Sequence, residues 1–253
     1  MRRRYVLVSD VHGNLPALQA VLDDANSVGY DQVINLGDHA SGPLWPRETL
    51  AFLMGQGWLQ ISGNHDREVS TSDPATHGLS DGYAFRMTAD DQRAWLRALP
   101  QELRIDQDIH AFHGSPASDT ELFLEESAGG RRCLRRLEDL NGALVPTPGS
   151  VLLCGHSHVP RCVRLSNGSL VINPGSVGLQ AYEEAGPEPY RMENGSPHAR
   201  YALLEERKGT WVPTFRLVDY DWDKAAAQAR AQEREDWAVA LETGFSLTGA
   251  RKW

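Results

Sequence analysis

The sequence predicts an α/β chain in which two mixed β-sheets pack face to face between helices, a four-layer αββα sandwich. Three observations lead there. Short apolar, β-branched runs alternate with amphipathic helical stretches up to Pro100, the pattern of successive β-α units. Beyond Pro100 the pattern changes to short strands separated by turns. Two more strands and a long Ala-, Gln- and Glu-rich helical stretch follow towards the C-terminus.

The elements follow in order. Tyr5–Val8 is an apolar strand, and Leu15, Leu18, Val21, Leu22 and Ala25 then recur at helical spacing, which closes a first β-α unit. Val33–Leu36 is a second strand, Pro46–Met54 a helix with proline in its first turn, and Leu59–Ser62 a third strand. Thr88-Ala89-Asp90-Asp91 opens a helix that runs through Leu99 and stops at Pro100. Leu103–Ile105, Ile109–Phe112, Val151–Cys154, Cys162–Leu165 and Leu170–Ile172 are short strands, with Asn167-Gly168 a hairpin signal between the last two. Tyr201–Glu205 and Thr210–Val218 are expected to extend the second sheet through a Lys208-Gly209 turn. Asp223–Leu241 is expected to form one helix with Trp237 on its apolar stripe.

Composition narrows the function classes. With 253 residues, 41% of them hydrophobic, the chain can bury a sizeable core, and one domain over residues 1–253 is expected. A formal net charge of −9 argues against stable nucleic-acid binding, which needs clustered Lys and Arg to displace counterions. Arg2-Arg3-Arg4 leads straight into the first strand without the apolar stretch of a secretory signal, and no run is long and apolar enough for a membrane helix. Cys133, Cys154 and Cys162 are odd in number and lack CxxC spacing, so a reducing, cytoplasmic setting is expected; Cys154 should pack as a small buried group beneath Gly155-His156. Oligomeric state is not readable from these residues.

Chemistry concentrates after the strands. Asp10-Val11-His12, Gly37-Asp38, Gly63-Asn64-His65-Asp66, His113-Gly114 and Gly155-His156-Ser157-His158 each follow a short apolar run, where α/β folds place their sites. Mixed oxygen and nitrogen donors suit Mn²⁺, Fe²⁺ or Zn²⁺ better than Ca²⁺ or a thiolate-bound zinc. One cation needs about three or four donors, whereas these blocks offer more, and a carboxylate such as Asp38 can bridge a pair, so the reading is a two-metal centre. Singly, each block has an ordinary alternative: Asp10 or Asn14 as a cap of the helix near Leu15, Gly37-Asp38 as a turn, Gly63–Asp66 as a self-bonded loop. The paired histidines of Gly155–His158 are more specific, because a bend around a metal accounts for both.

Taken together, the order Asp10-x-His12, Gly37-Asp38, Gly63-Asn64-His65-Asp66, His113, Gly155-His156-x-His158 resembles the calcineurin-like metallophosphoesterases, and its compactness is similar to their small bacterial YfcE-like phosphodiesterase branch. Asn173-Pro174-Gly175-Ser176 looks like the further segment of that branch. The resemblance implies the metallophosphoesterase fold and two divalent ions, foremost Mn²⁺, with Fe, Zn, Ni or Co as alternatives. It implies that Asp10, His12, Asp38 and His158 hold one ion and that Asp38, Asn64, His113 and His156 hold the other. It further implies that His65 faces the leaving-group oxygen and that Asp66 is the carboxylate fixing its tautomer. The implied activity is hydrolysis of a small phosphodiester, phosphomonoester or nucleotide by water activated between two cations. The alternative is a catalytically weak binding scaffold on the same fold, as in a retromer subunit that resembles this family; here every ligand position and His65 stand. A metallo-β-lactamase-like site would need His-x-His-x-Asp-His, which the chain lacks.

Substrate choice should lie in the loops Ser70–Tyr83 and Gly178–Arg200, the second long enough to be either a lid or disordered. Trp45 could stack on a leaving group or seal a helix. Arg67 and Arg191 are candidate phosphate contacts. His39 is expected behind the ligands or in the loop, His77 and His198 in solvent, and His110 in a structural role on its strand.

Overall fold

The computed structural model describes residues 3–71, 73–143, 150–185 and 189–250. The chain runs β1 (Arg4–Val8), α1 (Leu15–Val28), β2 (Gln32–Asn35), α2 (Pro46–Met54), β3 (Leu59–Gln60), α3 (Asn64–Thr71), a 3-10 turn at Pro74–Thr76, α4 (Leu79–Met87) and α5 (Asp90–Ala98). It continues with β4 (Glu102–Ile105), β5 (Ile109–Phe112), β6 (Glu125–Ala128), β7 (Arg131–Leu134), α6 (Leu137–Ala143), β8 (Val151–Leu153), β9 (Arg161–Arg164) and β10 (Leu170–Asn173). Then come β11 (Ala181–Glu184), β12 (Tyr190–Glu193), β13 (Ala199–Arg207), β14 (Thr210–Val218), α7 (Trp222–Ala231), α8 (Glu235–Thr243) and α9 (Leu247–Ala250).

Two five-stranded sheets, β14-β13-β1-β2-β3 and β4-β5-β8-β10-β9, form the centre. Each has a parallel middle, β1-β2-β3 in one and β5-β8-β10 in the other, and antiparallel outer strands. The alternation of side chains along a strand builds the layers. Tyr5 and Leu7 face inward and, with Ile34, Leu204 and Trp211, pack against Ile109, Ala111, Val151, Leu153 and Ile172 of the other sheet. Val6 and Val8 face outward onto Ala17, Leu18, Val21 and Ala25 of α1. On the far side Phe112, Leu152 and Val171 are covered by Phe123, Leu124 and Leu140, the last from α6. The result is helix, sheet, sheet, helix, as expected. Shortening any of these fully buried leucines to alanine would cost roughly 2–5 kcal/mol.

Three expectations change. β13 and β14 join the first sheet, not the second: β13 pairs antiparallel with β1 in the register Tyr5↔Leu204. Packing decides this: beside β1, Ala202 and Leu204 enter the core between the sheets while Ala199, Tyr201 and Leu203 join the cluster under α1, so both faces of β13 are covered. The single helix expected over Asp223–Leu241 is two, broken at Glu233, whose φ of 58° is left-handed. A third sheet, β11-β12-β7-β6, had no counterpart in the reading of the sequence, because its four-residue strands carry Glu and Arg instead of alternating apolar residues. It absorbs much of Gly178–Arg200, of which residues 186–188 lie outside the described residues. The other loop, Ser70–Tyr83, likewise contains the 3-10 turn and the start of α4.

Candidate metal centre

Five strand ends deliver the donors to one place. Asp10 and His12 follow β1, Asp38 follows β2, Asn64 opens α3 just after β3, His113 follows β5, and His156 and His158 follow β8. The loops are stitched together through their backbones: Asp10 N–H donates to Gly37 O, His12 N–H to Asp38 O and Gly155 N–H to His113 O, at 3.0, 3.0 and 2.8 Å. Asn14 caps α1 by accepting from Ala17 N–H at 3.2 Å, so it serves the helix while Asp10 is free for the site.

Backbone strain marks the same residues. Eight non-glycine residues among those described have φ between 51° and 65°, and five of them are Asp10, His12, Asp38, His156 and His158. Each such residue costs of order 1–3 kcal/mol, a strain that tends to gather at functional sites. The bend expected at Gly155–His158 is present in both histidines, and Cys154 is buried beneath it. Gly63 is required here by close approach, because a Cβ on it would lie 2.2 Å from Asp38 Oδ1.

The donors form two groups, Asp10, His12 and His158 in one and Asp38, His113 and His156 in the other, with the ligand atoms of each group within 4.8 Å of one another. Asp38 Oδ2 lies 3.2 Å from His113 Nε2 and 3.9 Å from His12 Nε2, between the groups. Asn64 Oδ1 is 3.1 Å from His113 Nε2. The outer ring nitrogens are tied to carbonyls, which only accept: Nδ1 of His12, His113 and His158 donates to Ser41 O, Leu36 O and Leu179 O at 2.8, 2.6 and 2.9 Å. This fixes the tautomer that turns Nε2 inward, the usual way a histidine is prepared as a ligand.

Two features fit cations at this place. His12 Nε2 and His158 Nε2 face each other at 3.1 Å, although both rings already spend their Nδ1 protons on carbonyls. Asp10 Oδ2 is buried without a hydrogen-bond partner among the described residues. Opposed lone pairs and an unpartnered carboxylate oxygen are costly when buried, and a divalent ion satisfies both.

The electrostatics agree. Burial pushes the Asp10 carboxyl up, but the neighbouring His158 and His113 outweigh it and hold it below the usual range. Asp38 is likewise pushed up by burial and held well down by the charges of His113 and His65. His12 and His156 are driven down to about 4, foremost by burial, and for His156 also by the charge of the neighbouring His113. Burial also pushes His113 down, yet the charge and hydrogen bond of Asp38 raise it to about 10. His113 must therefore lose a proton before it can ligate. Below about pH 10 metal affinity is expected to fall as pH falls, by up to about tenfold per pH unit for one displaced proton. Calorimetric Mn²⁺ titrations in buffers of different ionisation enthalpy check this; pH-independent binding with no proton release would refute it.

One expected role moves to another residue. Asp66 does not orient His65: its carboxylate accepts from the backbone N–H groups of Asp38, His39 and Gly63, each at 2.9 Å, and from His39 Nδ1 at 2.7 Å. It clamps the Asp38 loop to the start of α3 and holds His39 in that loop. The carboxylate on His65 is Asp81 of α4, whose Oδ1 lies 2.8 Å from His65 Nδ1. Sequence spacing gave no signal for Asp81, because it lies in a stretch read as a loop. Burial lowers the His65 imidazolium, but the charge on Asp38 and the hydrogen bond to Asp81 hold it up at about 9.

Arg67 is spoken for by Asp119, at 2.7 and 3.2 Å, and by Glu68 at 2.6 Å. Trp45 packs with Leu44 and the α7–α8 cluster, the sealing role. His110 pairs with Glu102 at 2.6 Å on its strand. His77 and His198 are half-buried instead of solvated, His77 edge-on against Phe85 and His198 paired with Asp219.

A cavity of about 670 Å³ opens onto His12, Asp38, Asn64, His156, His158 and His65, with further walls from Arg132, Tyr182, Tyr190 and Trp237. The Trp237 ring meets His12 edge-on at 5.9 Å, so the apolar stripe expected of its helix reaches the first donor group.

Residues 4–190 match the calcineurin-like phosphoesterase superfamily domain. The chain belongs to this superfamily. That is the family expected from the order of its motifs. A metallophosphoesterase of known structure from Sphaerobacter thermophilus is 28% identical, with 95% of this chain and 99% of that one covered at a TM-score of 0.73. An uncharacterized protein of Methanocaldococcus jannaschii is 25% identical over 251 residues, 91% of this chain and 93% of its own. The phosphoesterase YfcE of E. coli is 16% identical over 85% of this chain and all of its own, with a TM-score of 0.45. Calcineurin-like phosphoesterase membership supports a hydrolase acting on phosphoesters, and the two donor groups could each hold a metal ion.

Proposed function

We propose that this chain is a binuclear metal-dependent phosphoesterase of the cytoplasm that hydrolyses a small phosphodiester, phosphomonoester or nucleotide, folded as one domain over residues 1–253. The observation that carries the reading is the placement of two donor groups about Asp38, with His65, held by Asp81, beside them on the cavity wall. Pairing of β13 with β1 supports a single domain. Three free cysteines support a reducing compartment, and no helix among the described residues is long and apolar enough to cross a membrane.

Asp10, His12, Asp38 and His158 would hold one ion, and Asp38, Asn64, His113 and His156 the other. When bound, the ions, foremost Mn²⁺ with Fe, Zn, Ni or Co as alternatives, supply Lewis acidity and bring the pKa of water towards neutrality. The chain's own residues do the rest. Asp38 Oδ1 accepts from His65 N–H at 3.0 Å, which locks the central carboxylate to the acid-bearing helix. His65, protonated at neutral pH, spends Nδ1 on Asp81 and is left with Nε2 to give its proton to the leaving oxygen.

Mn²⁺-loaded protein should hydrolyse bis-p-nitrophenyl phosphate or p-nitrophenyl phosphate above an Asp38→Ala control; no excess over that control would sink the reading. Asp81→Asn should slow turnover roughly 10–100-fold, the usual size for a partner that orients a site residue. Because Asp81 raises the His65 pKa, its loss should also move the alkaline limb of the pH–rate profile to lower pH. An unmoved limb would mean that Asp81 only shapes the fold.

A further inference from the structure

The cavity wall carries a cation that the chemistry above does not use. Of the arginines lining the cavity, Arg234 is committed, its guanidinium bonded to both oxygens of Asp236 at 2.9 and 2.7 Å and to Ser80 Oγ at 2.9 Å. Arg132 of β7 has no ion-pair partner among the described residues, and its Nε is buried without a hydrogen-bond acceptor. The carboxylate that feels its charge, Glu125, is already paired with Arg161 at 2.8 Å.

Arg132 is nonetheless held in place. Its guanidinium carbon lies 3.0 Å from the centre of the Tyr190 ring, Tyr190 meets Tyr182 at 5.9 Å, and Tyr182 meets the metal-group residue His158 at 5.0 Å. A chain of rings therefore joins the cation to the donor groups across the third sheet. Stacking uses the face of a guanidinium and leaves its in-plane N–H donors free, the geometry that suits a phosphate. Holding an unpaired cation half-buried in a cleft is costly unless an anion joins it.

We propose that Arg132 is a specificity-determining residue that binds a second phosphate of the substrate, so that the preferred substrate is a small ester bearing two phosphoryl groups set apart from each other. The assignment rests on the phosphoesterase reading and deepens it. Arg67 and Arg191, the phosphate contacts expected from the sequence, do not line the cavity.

Thymidine 3′,5′-bisphosphate and thymidine 5′-monophosphate differ by one phosphate and make the test. Their binding to Mn²⁺-loaded His65→Ala protein is measured by calorimetry, with and without a further Arg132→Met or Arg132→Lys substitution. The expected result is a preference for the bisphosphate of roughly 10-fold or more, the range for charge-assisted hydrogen bonds. Arg132→Met should abolish the preference and Arg132→Lys should restore part of it. A protein without the preference, or an Arg132→Met variant that keeps it, overturns the proposal. Hydrolysis of thymidine 5′-(p-nitrophenyl phosphate) and of p-nitrophenyl phosphate by the wild-type protein is read separately. Preference without hydrolysis keeps the Arg132 assignment and sinks the catalytic reading, whereas hydrolysis without preference does the reverse.

Discussion

Asp38→Ala should lose both metal ions and with them roughly 10³–10⁴-fold or more of the activity, the several kcal/mol that metal-ion charge stabilisation supplies. No other single substitution should cost as much. Asp38 Oδ2 is the oxygen placed between His113 and His12, one from each donor group, and Oδ1 is bonded to the His65 backbone. Removing the carboxylate strips both groups of a shared anion, and it leaves the His113 proton without its main counter-charge. Metal content by mass spectrometry, read beside turnover of bis-p-nitrophenyl phosphate, checks both halves. An Asp38→Ala protein that still carries two ions per chain would show that the groups do not share it. The fold should survive, since Asp38 lies in a loop and not in the sheet–sheet core.

His65→Ala should separate chemistry from metal binding. His65 belongs to neither donor group, so metal content should stay unchanged, while loss of a general acid slows turnover about 10²–10⁴-fold. The loss should be greatest for leaving groups of high pKa and small for p-nitrophenolate, which departs without a proton. Rates for aryl phosphate esters of graded leaving-group pKa measure this directly. Equal loss across the series would remove His65 from the acid role.

How much of this was legible in the sequence depended on the kind of signal. β1, β5, β8 and β10 announced themselves because their apolar runs are buried on both faces, and the ligand blocks because each follows one of the parallel strands. Helix α2 has the bounds expected of it, Pro46–Met54, since proline in the first turn marks its start. The third sheet was not legible: the Glu- and Arg-bearing runs 125–134 become strands through tertiary pairing, with no alternation of their own. Neither was the placement of β13, whose apolar character suits either sheet and whose partner is decided by packing.

Within the site the same division holds. The donor types were visible as residues, while the left-handed backbone at Asp10, His12, Asp38, His156 and His158 was not, because Asp and His enter that region more readily than most side chains yet still in only a minority of cases. The partner of His65 was misassigned for a plain reason. Asp66 is adjacent in sequence but one helical step turns it towards His39 and the Asp38 loop, whereas Asp81 arrives from α4. Arg132, Tyr182, Tyr190 and Trp237 line the cavity from segments remote in sequence, and only the folded chain brings them together.

The most direct test of the central claim is anomalous scattering from crystals grown with Mn²⁺. Two peaks per chain on either side of Asp38, one among Asp10, His12 and His158 and the other among Asn64, His113 and His156, are the expected result; a single peak, or peaks away from these side chains, would contradict a binuclear centre.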